Sequence, residues 1–390
     1  MKWINRGILI ALVLVASVVV AETAPQSTTV DCNKGQSLNG TLAKLNKQTP
    51  NTVTVNGTCT EYVQIVGFES LTLNGVAGAT LAQPTTGAGN LLGLLYIESS
   101  RSVYVNGFSI QADTTTVAAI AIGRGSSDIR LRNLNIQGGS SGISIFEHSQ
   151  VSIAYVTAQD PGFTTLGVYD LSDVHVERSS FKSSTGTSYQ VGLFVGASHI
   201  TMYDTNITNM QVGIEAYAGS IIDVLVFTSY YTNVVQTDVV INSPAGTNYN
   251  GVTISGGGSL NASTANLVIK KPGQSYGGTS GGVLISDDAS LTATNGSLVI
   301  TGSNGQGVMA LNNSHATVIG ATVTGGLHGG LVAANLSSID VSVGTLSLVS
   351  GNSVDLFCDP GSTITGTVNL SGVPTAQCTN LLAGETVALP

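Results

Sequence analysis

Apolar and polar residues alternate along most of this chain in runs too short to be helices. Leu71-Thr-Leu, Leu94-Leu-Tyr-Ile, Val103-Tyr-Val, Ile120-Ala-Ile and Ile129-Arg-Leu are each bounded by Gly, Asn, Ser or Asp. Patterning of this kind predicts short strands, each showing one face inward and one outward. A glycine followed by apolar alternation then recurs, at Gly142, Gly167, Gly192 and Gly213, and again at Gly282, Gly307 and Gly330. The steps are 25, 25 and 21 residues in the first group and 25 and 23 in the second. The interval from Gly213 to Gly282 leaves room for three further turns. A period in this range marks a solenoid, whose units cannot bury their apolar faces alone and must stack on neighbours.

Turns of this length hold two or three strands, so the expected fold is all-β: a right-handed parallel β-helix, with each strand pairing to its equivalent in the next coil. A propeller repeat is longer, and a sandwich lacks regular self-similarity. One helix stands out, since Leu38, Leu42 and Leu45 in residues 37–47 are spaced by four and three. It predicts a short amphipathic cap over the apolar solenoid end. The expected organisation is a polar lead-in and cap over 22–50, the β-helix over 51–378, and a tail over 379–390. Asn133, Asn206 and Asn233 are expected at turns, where amides can stack between coils.

The first residues read as an export signal over 1–21. Lys2 and Arg6 precede an uncharged run from Gly7 to Ala21, which ends on small residues. At 15 residues that run is short for a membrane span of about 20. A secreted, extracellular or periplasmic protein is expected, with no membrane partner after signal removal. Four cysteines, Cys32, Cys59, Cys358 and Cys378, suit disulfides in that compartment. Three connectivities are open, and local pairs closing each end of the solenoid are favoured. Without Lys2 and Arg6 the 13 basic residues become 11, against 22 acidic ones. Such a surface argues against a nucleic-acid partner.

The repeat over roughly 50–375 resembles that of the pectin lyase-like superfamily. Its members include pectate lyases, polygalacturonases, epimerases and phage tailspikes. The resemblance implies the β-helix fold and an extracellular polysaccharide or cell-surface glycan as partner. It does not extend to the catalytic motifs. Asp287-Asp288 and His328-Gly329 are present, but the Asn-Thr-Asp and Arg-Ile-Lys segments of polygalacturonases are missing. An epimerase-like Asp-Pro-His is replaced by Asp160-Pro161-Gly162. Asp287-Asp288 is therefore expected to be a solvated turn.

The chemistry-bearing residues are unevenly spread. All five arginines beyond the signal, three of the five histidines and 11 of the 22 acidic residues lie between residues 101 and 240. Aligning Ile129-Arg-Leu-Arg, Val151-Ser-Ile-Ala, Val174-His-Val-Glu, Ile200-Thr-Met-Tyr and Ile222-Asp-Val-Leu yields two outward columns. One holds Arg130, His175 and Asp223, and the other Arg132, Glu177 and Tyr203. His175 or Tyr203 could serve as base and Arg132 or Arg130 as charge stabiliser in elimination from a uronate. Glu177 and Asp223 are the carboxylate pair for hydrolysis, at or beyond the upper end of the inverting range. The bland reading is an ion pair between Arg132 and Glu177 among solvated residues. Phe146, Tyr169, Phe194 and Tyr217, from consecutive coils, form a second candidate surface for stacking on sugars. No cofactor is required by these residues, and Ca2+ is compatible with them.

Two functions remain. One is a secreted protein that binds a polysaccharide and, as a lyase or hydrolase, could process it. The other is a non-catalytic adhesin-like or matrix protein.

Overall fold

The computed structural model describes residues 25–377, except 77, 86–90, 115–116, 185–188, 226, 229–234, 237–238, 243–249, 264, 271–280, 295–296, 304, 326–328, 342–346, 351–355, 367 and 372–375. The signal segment, Asn233, His328 and Cys378 lie outside the described residues.

The chain is a parallel β-helix with almost no α-helix. Each coil contributes three strands. The first joins a 13-stranded sheet, and the second and third join a 25-stranded sheet that wraps the other two faces. One full coil runs through Thr164–Val168 and then the bent strand Asp173–Lys182, which serves both remaining faces. Pairing is parallel and in register from coil to coil. Inward Val, Ile and Leu from all three faces merge into one continuous core.

Recurrent glycines mark where the chain enters the 13-stranded sheet. A Cβ on Gly213 would lie 2.4 Å from Ile241 Cγ2 and 2.6 Å from the carbonyl oxygen of Gly251 in the next coil. Gly192, Gly251, Gly282 and Gly307 are crowded in the same way. The glycine repeat therefore records a corner with no room for a side chain. Gly167 is not part of this column. The register pairs Gly167 with Ser144 and Phe194, and Thr165 takes the corner position in that coil.

Two further columns hold the coils together. Buried serines follow the 13-stranded sheet, and the backbone N–H of one donates to the hydroxyl of the next. Ser149 donates to Ser172 Oγ at 3.2 Å, Ser172 to Ser198 Oγ at 3.2 Å, and Ser337 to Ser362 Oγ at 3.2 Å. Beside them, paired left-handed residues turn the chain. Asp287, Asp288, Asn312 and Asn313 all have φ between 54° and 62°. Their side chains form a ladder, Asn312 Nδ2 donating to Asp287 Oδ1 at 2.9 Å and Asn313 Nδ2 to Asp288 Oδ1 at 2.6 Å. Asp287-Asp288 is thus a turn that also links coils. Asn133 donates to Asn106 Oδ1 at 2.8 Å, whereas Asn206 lies within the strand His199–Thr208 and not at a turn.

The N-terminal end departs from expectation. The segment read as a polar lead-in forms the strand Gln26–Asp31, paired in register with Asn51–Asn56. A strand whose side chains are mostly exposed gives little apolar periodicity to read. The cap helix is only Leu38–Leu42. Ser37 caps it by accepting from Gly40 N at 2.9 Å, and Glu61 Oε1 accepts from Leu38 N at 2.6 Å. Leu38 and Leu42 are buried, and Leu45 packs against the same core from beyond the helix end. The Cys32–Cys59 disulfide fastens this end. Cys358 is also disulfide-bonded.

Two measurements test this account. Gly213→Ala should destabilise by about 1–3 kcal/mol, the range for overpacking a filled site. An unchanged denaturation midpoint would show that the corner yields freely. Replacing Cys32 and Cys59 by Ser should lower stability by roughly 2–4 kcal/mol. In a stack of nearest-neighbour units the faster amide exchange should stay in the N-terminal coils. Uniformly faster exchange would contradict that localisation.

Candidate functional site

The register aligns the outward columns as the alternation predicts. Arg130, Ser152, His175, Thr201 and Asp223 pair in succession, as do Arg132, Ala154, Glu177 and Tyr203. Their surroundings sort them into separate groups.

Arg132 reaches across two coils to Glu177, with Nη2 3.3 Å from Oε1. The His175 and Tyr203 rings lie 5.2 Å apart. Tyr203 was expected on a solvated face, but only 3% of it is exposed. Its phenol is therefore poorly placed to reach a sugar C5 proton. Arg130 turns away to Asp128, at 2.9 Å, and remains exposed. Asp223 is not partnered with Glu177. It lies beside His199, whose Nε2 is 3.1 Å from Asp223 Oδ2 and whose Nδ1 is 2.9 Å from Asp173 Oδ1. The column of Asp173 and His199 precedes the first position aligned from sequence, so starting each strand one residue later hid it.

A bend column adds three residues that the strand alignment did not reach. Tyr155, Arg178 and Asp204 take left-handed conformations, with φ of 55°, 46° and 46°, where earlier coils place Gly107 and Asn133. Their side chains project from the corner between the second and third faces and line an open groove of about 450 Å³ with Thr157, Ser179, Ser180 and Asn206. Arg132 and Arg178 both stack on Tyr155, at 5.6 Å and 5.5 Å from its centroid. Arg178 also donates to the Tyr155 hydroxyl and stands 3.9 Å from Asp204. Every cation in this groove is thus engaged by a protein partner.

The 13-stranded sheet carries the second surface. Phe194 lies at its centre, 5.4 Å from Tyr169, 5.0 Å from Tyr217 and 6.3 Å from Phe163. Phe163 and Tyr189 are 5.8 Å apart. The strip is open: Phe163 is 43% exposed, Tyr189 40% and Tyr217 38%. Phe163 and Tyr189 fall just outside strands, which removes the periodic signal that marked the other rings. Phe146 does not join the strip. It packs on Tyr96, Ala118 and Ala121 near Gly123. The Tyr169 ring covers Gly167, and Tyr217 covers Gly196, so two glycines provide the clearance for these rings to approach the sheet.

A carboxylate is set into these rings. Glu215 is in register with Phe194 and accepts from the Tyr189 hydroxyl at 3.1 Å. Burial pushes the Tyr169 phenol up to about 12, helped by Tyr217 and the negative charge of Glu215. Tyr169 therefore stays a neutral hydrogen-bond donor through the physiological range.

Among the described residues, the one group of metal-ligating type within coordination distance is Cys32, Cys59 and Glu61, whose cysteines are already joined as a disulfide. No described helix is long and apolar enough to cross a membrane.

Thermal denaturation separates packing from surface roles. Tyr203→Ala should cost about 3–5 kcal/mol, as for a buried aromatic, and half-buried His175→Ala about 1 kcal/mol or less. Equal, small losses for both would return Tyr203 to the accessible surface.

No protein-family model matches the chain, and no curated protein matches it in sequence. Among solved structures it is similar to PfbA, a surface adhesin of Streptococcus pneumoniae, at 11% identity and a TM-score of 0.45, covering 87% of this chain and 93% of that one. It is similar to the periplasmic alginate epimerase AlgG at 11% identity and a TM-score of 0.42, covering 88% and 83% of the two chains. It also resembles the catalytic domain of a GH87 alpha-1,3-glucanase solved with tetrasaccharides, at 13% identity and a TM-score of 0.42, covering 86% of this chain and 65% of that one. Likenesses this distant carry no argument about activity. By its own coil geometry, the protein is a parallel β-helix, the architecture of the pectin lyase-like proteins that its repeat resembles.

Proposed function

We propose that this protein binds an extracellular polysaccharide laid along the aromatic strip of the 13-stranded sheet. The carrying observation is the contiguous row of half-buried Tyr169 and Phe194 and exposed Tyr217 from three successive coils, widened by the exposed Phe163 and Tyr189. Coil stacking spreads these rings over about 10 Å along the axis, the scale of a short run of sugar residues. Rings with apolar faces and phenolic edges match the apolar faces and equatorial hydroxyls of sugars. An exposed aromatic patch of this extent is uncommon on a protein with no partner. A disulfide-bonded chain suits the oxidising compartments in which such glycans occur.

Binding without turnover is the reading favoured here. Of the residues considered for elimination, Arg132 is bound to Glu177, Arg130 to Asp128, and Tyr203 is buried. An adhesin-like or matrix role follows from binding alone. Stacking on rings requires no calcium.

The mature protein should be retained by at least one polysaccharide in a panel of neutral and uronate-containing polymers, with calcium or with a chelator. Neither reducing ends nor unsaturated uronates should accumulate. Phe194→Ala should weaken retention roughly tenfold, the effect of losing a central aromatic anchor, with the fold retained at a modestly lower melting temperature. Retention that survives removal of Phe194 would move the site elsewhere, and release of products would make the protein an enzyme.

A further inference from the structure

The aromatic strip contains more than hydrophobic surface. Its central ring, Phe194, faces Glu215 across one coil step of about 4.8 Å, and both side chains point outward. The Glu215 carboxylate is anchored by the Tyr189 hydroxyl, so it is fixed among the rings. At the turn edge of the same face Asp170 is exposed, and it follows Tyr169 directly. Arg124 follows the strand Ala118–Gly123, three coils before Phe194, and is committed to Glu98. The guanidiniums of Arg132 and Arg178 are at the corner between the other two faces, held by Glu177 and by Tyr155 with Asp204. A ligand on the strip thus meets fixed negative charge, and the described arginines are engaged elsewhere.

We infer that the strip selects an uncharged glycan and rejects polyuronates, with Glu215 as the residue that discriminates. This rests on the glycan-binding reading above and narrows its substrate class. A neutral hexose can stack on Phe194 and donate a hydroxyl to Glu215, whose oxygens accept further hydrogen bonds. A uronate presents a second carboxylate to the same place, with like charges brought together over a partly desolvated aromatic surface. Specificity then comes from a repulsive element built beside the attractive one.

The test uses matched oligosaccharide pairs, each a neutral glucan or galactan and its C6-carboxylated counterpart, titrated into the mature protein at low and high salt. The neutral member of whichever pair binds should be favoured at least tenfold at low salt, and added salt should narrow the gap by screening. Glu215→Gln should reduce the preference to threefold or less, chiefly by improving binding of the acidic member. Phe194→Ala should weaken both members. Equal or tighter binding of the acidic member, lost on Phe194→Ala, would overturn the charge selection and leave glycan binding intact. Binding of neither member in any pair would overturn the glycan reading, and this inference with it. An unchanged preference in Glu215→Gln would remove Glu215 from the discriminating role.

Discussion

Parallel, in-register stacking of one coil on the next is the constraint on which the rest of this structure depends. Every backbone hydrogen bond between coils sets equivalent residues about 4.8 Å apart, so any side chain is repeated, opposed or covered by its counterpart above and below. A residue type that suits one coil becomes useful in the next, and columns arise. Gly192, Gly213 and Gly251 share a corner because each leaves room for the next coil's backbone and a core Ile. Buried serines bridge successive turns because each hydroxyl can accept from the coil before. The same rule brings Phe194 beside Glu215 and Tyr217 although a whole coil of sequence separates them.

The columns also separate charge. On the second and third faces, arginines meet carboxylates and Tyr155, so the cations are neutralised within the protein. On the 13-stranded sheet, aromatic rings surround an anchored carboxylate that has no arginine opposite it in register. Two surfaces built on one scaffold therefore offer opposite chemistry: an ion-paired corner and an open, weakly anionic stacking strip. The proposed ligand lies on the second, whose outer rings Phe163, Tyr189 and Tyr217 are exposed.

Much of the fold is legible in the sequence, since period-two alternation and a glycine recurrence survive in almost every coil. The glycine recurrence misleads at Gly167, where Thr165 occupies the corner and an outward glycine lies two residues later. Alignment also recovers which outward residues share a column, as Glu177 and Tyr203 do. It cannot tell whether a column is open: Tyr203 shares the outward column of Glu177 and yet is only 3% exposed. Phe163, Tyr189 and Tyr155 carry no periodic signal: the first two lie outside strands, and the third occupies a left-handed bend.

The Cys32–Cys59 bridge acquires a mechanical meaning once the chain is viewed as a rod. A solenoid pulled by its end comes apart by peeling, one coil after another, because each coil is held only by its neighbours. The bridge spans a sequence separation of 27 residues, enclosing the cap helix and the strand Asn51–Asn56. Drawn out, that segment would release about 90 Å of slack. With the covalent link in place, tension arriving from the N-terminal side bypasses the segment and passes to the coils beyond Cys59. The end of the rod then acts as a grip that keeps its own segment folded while the load falls on the coils beyond it.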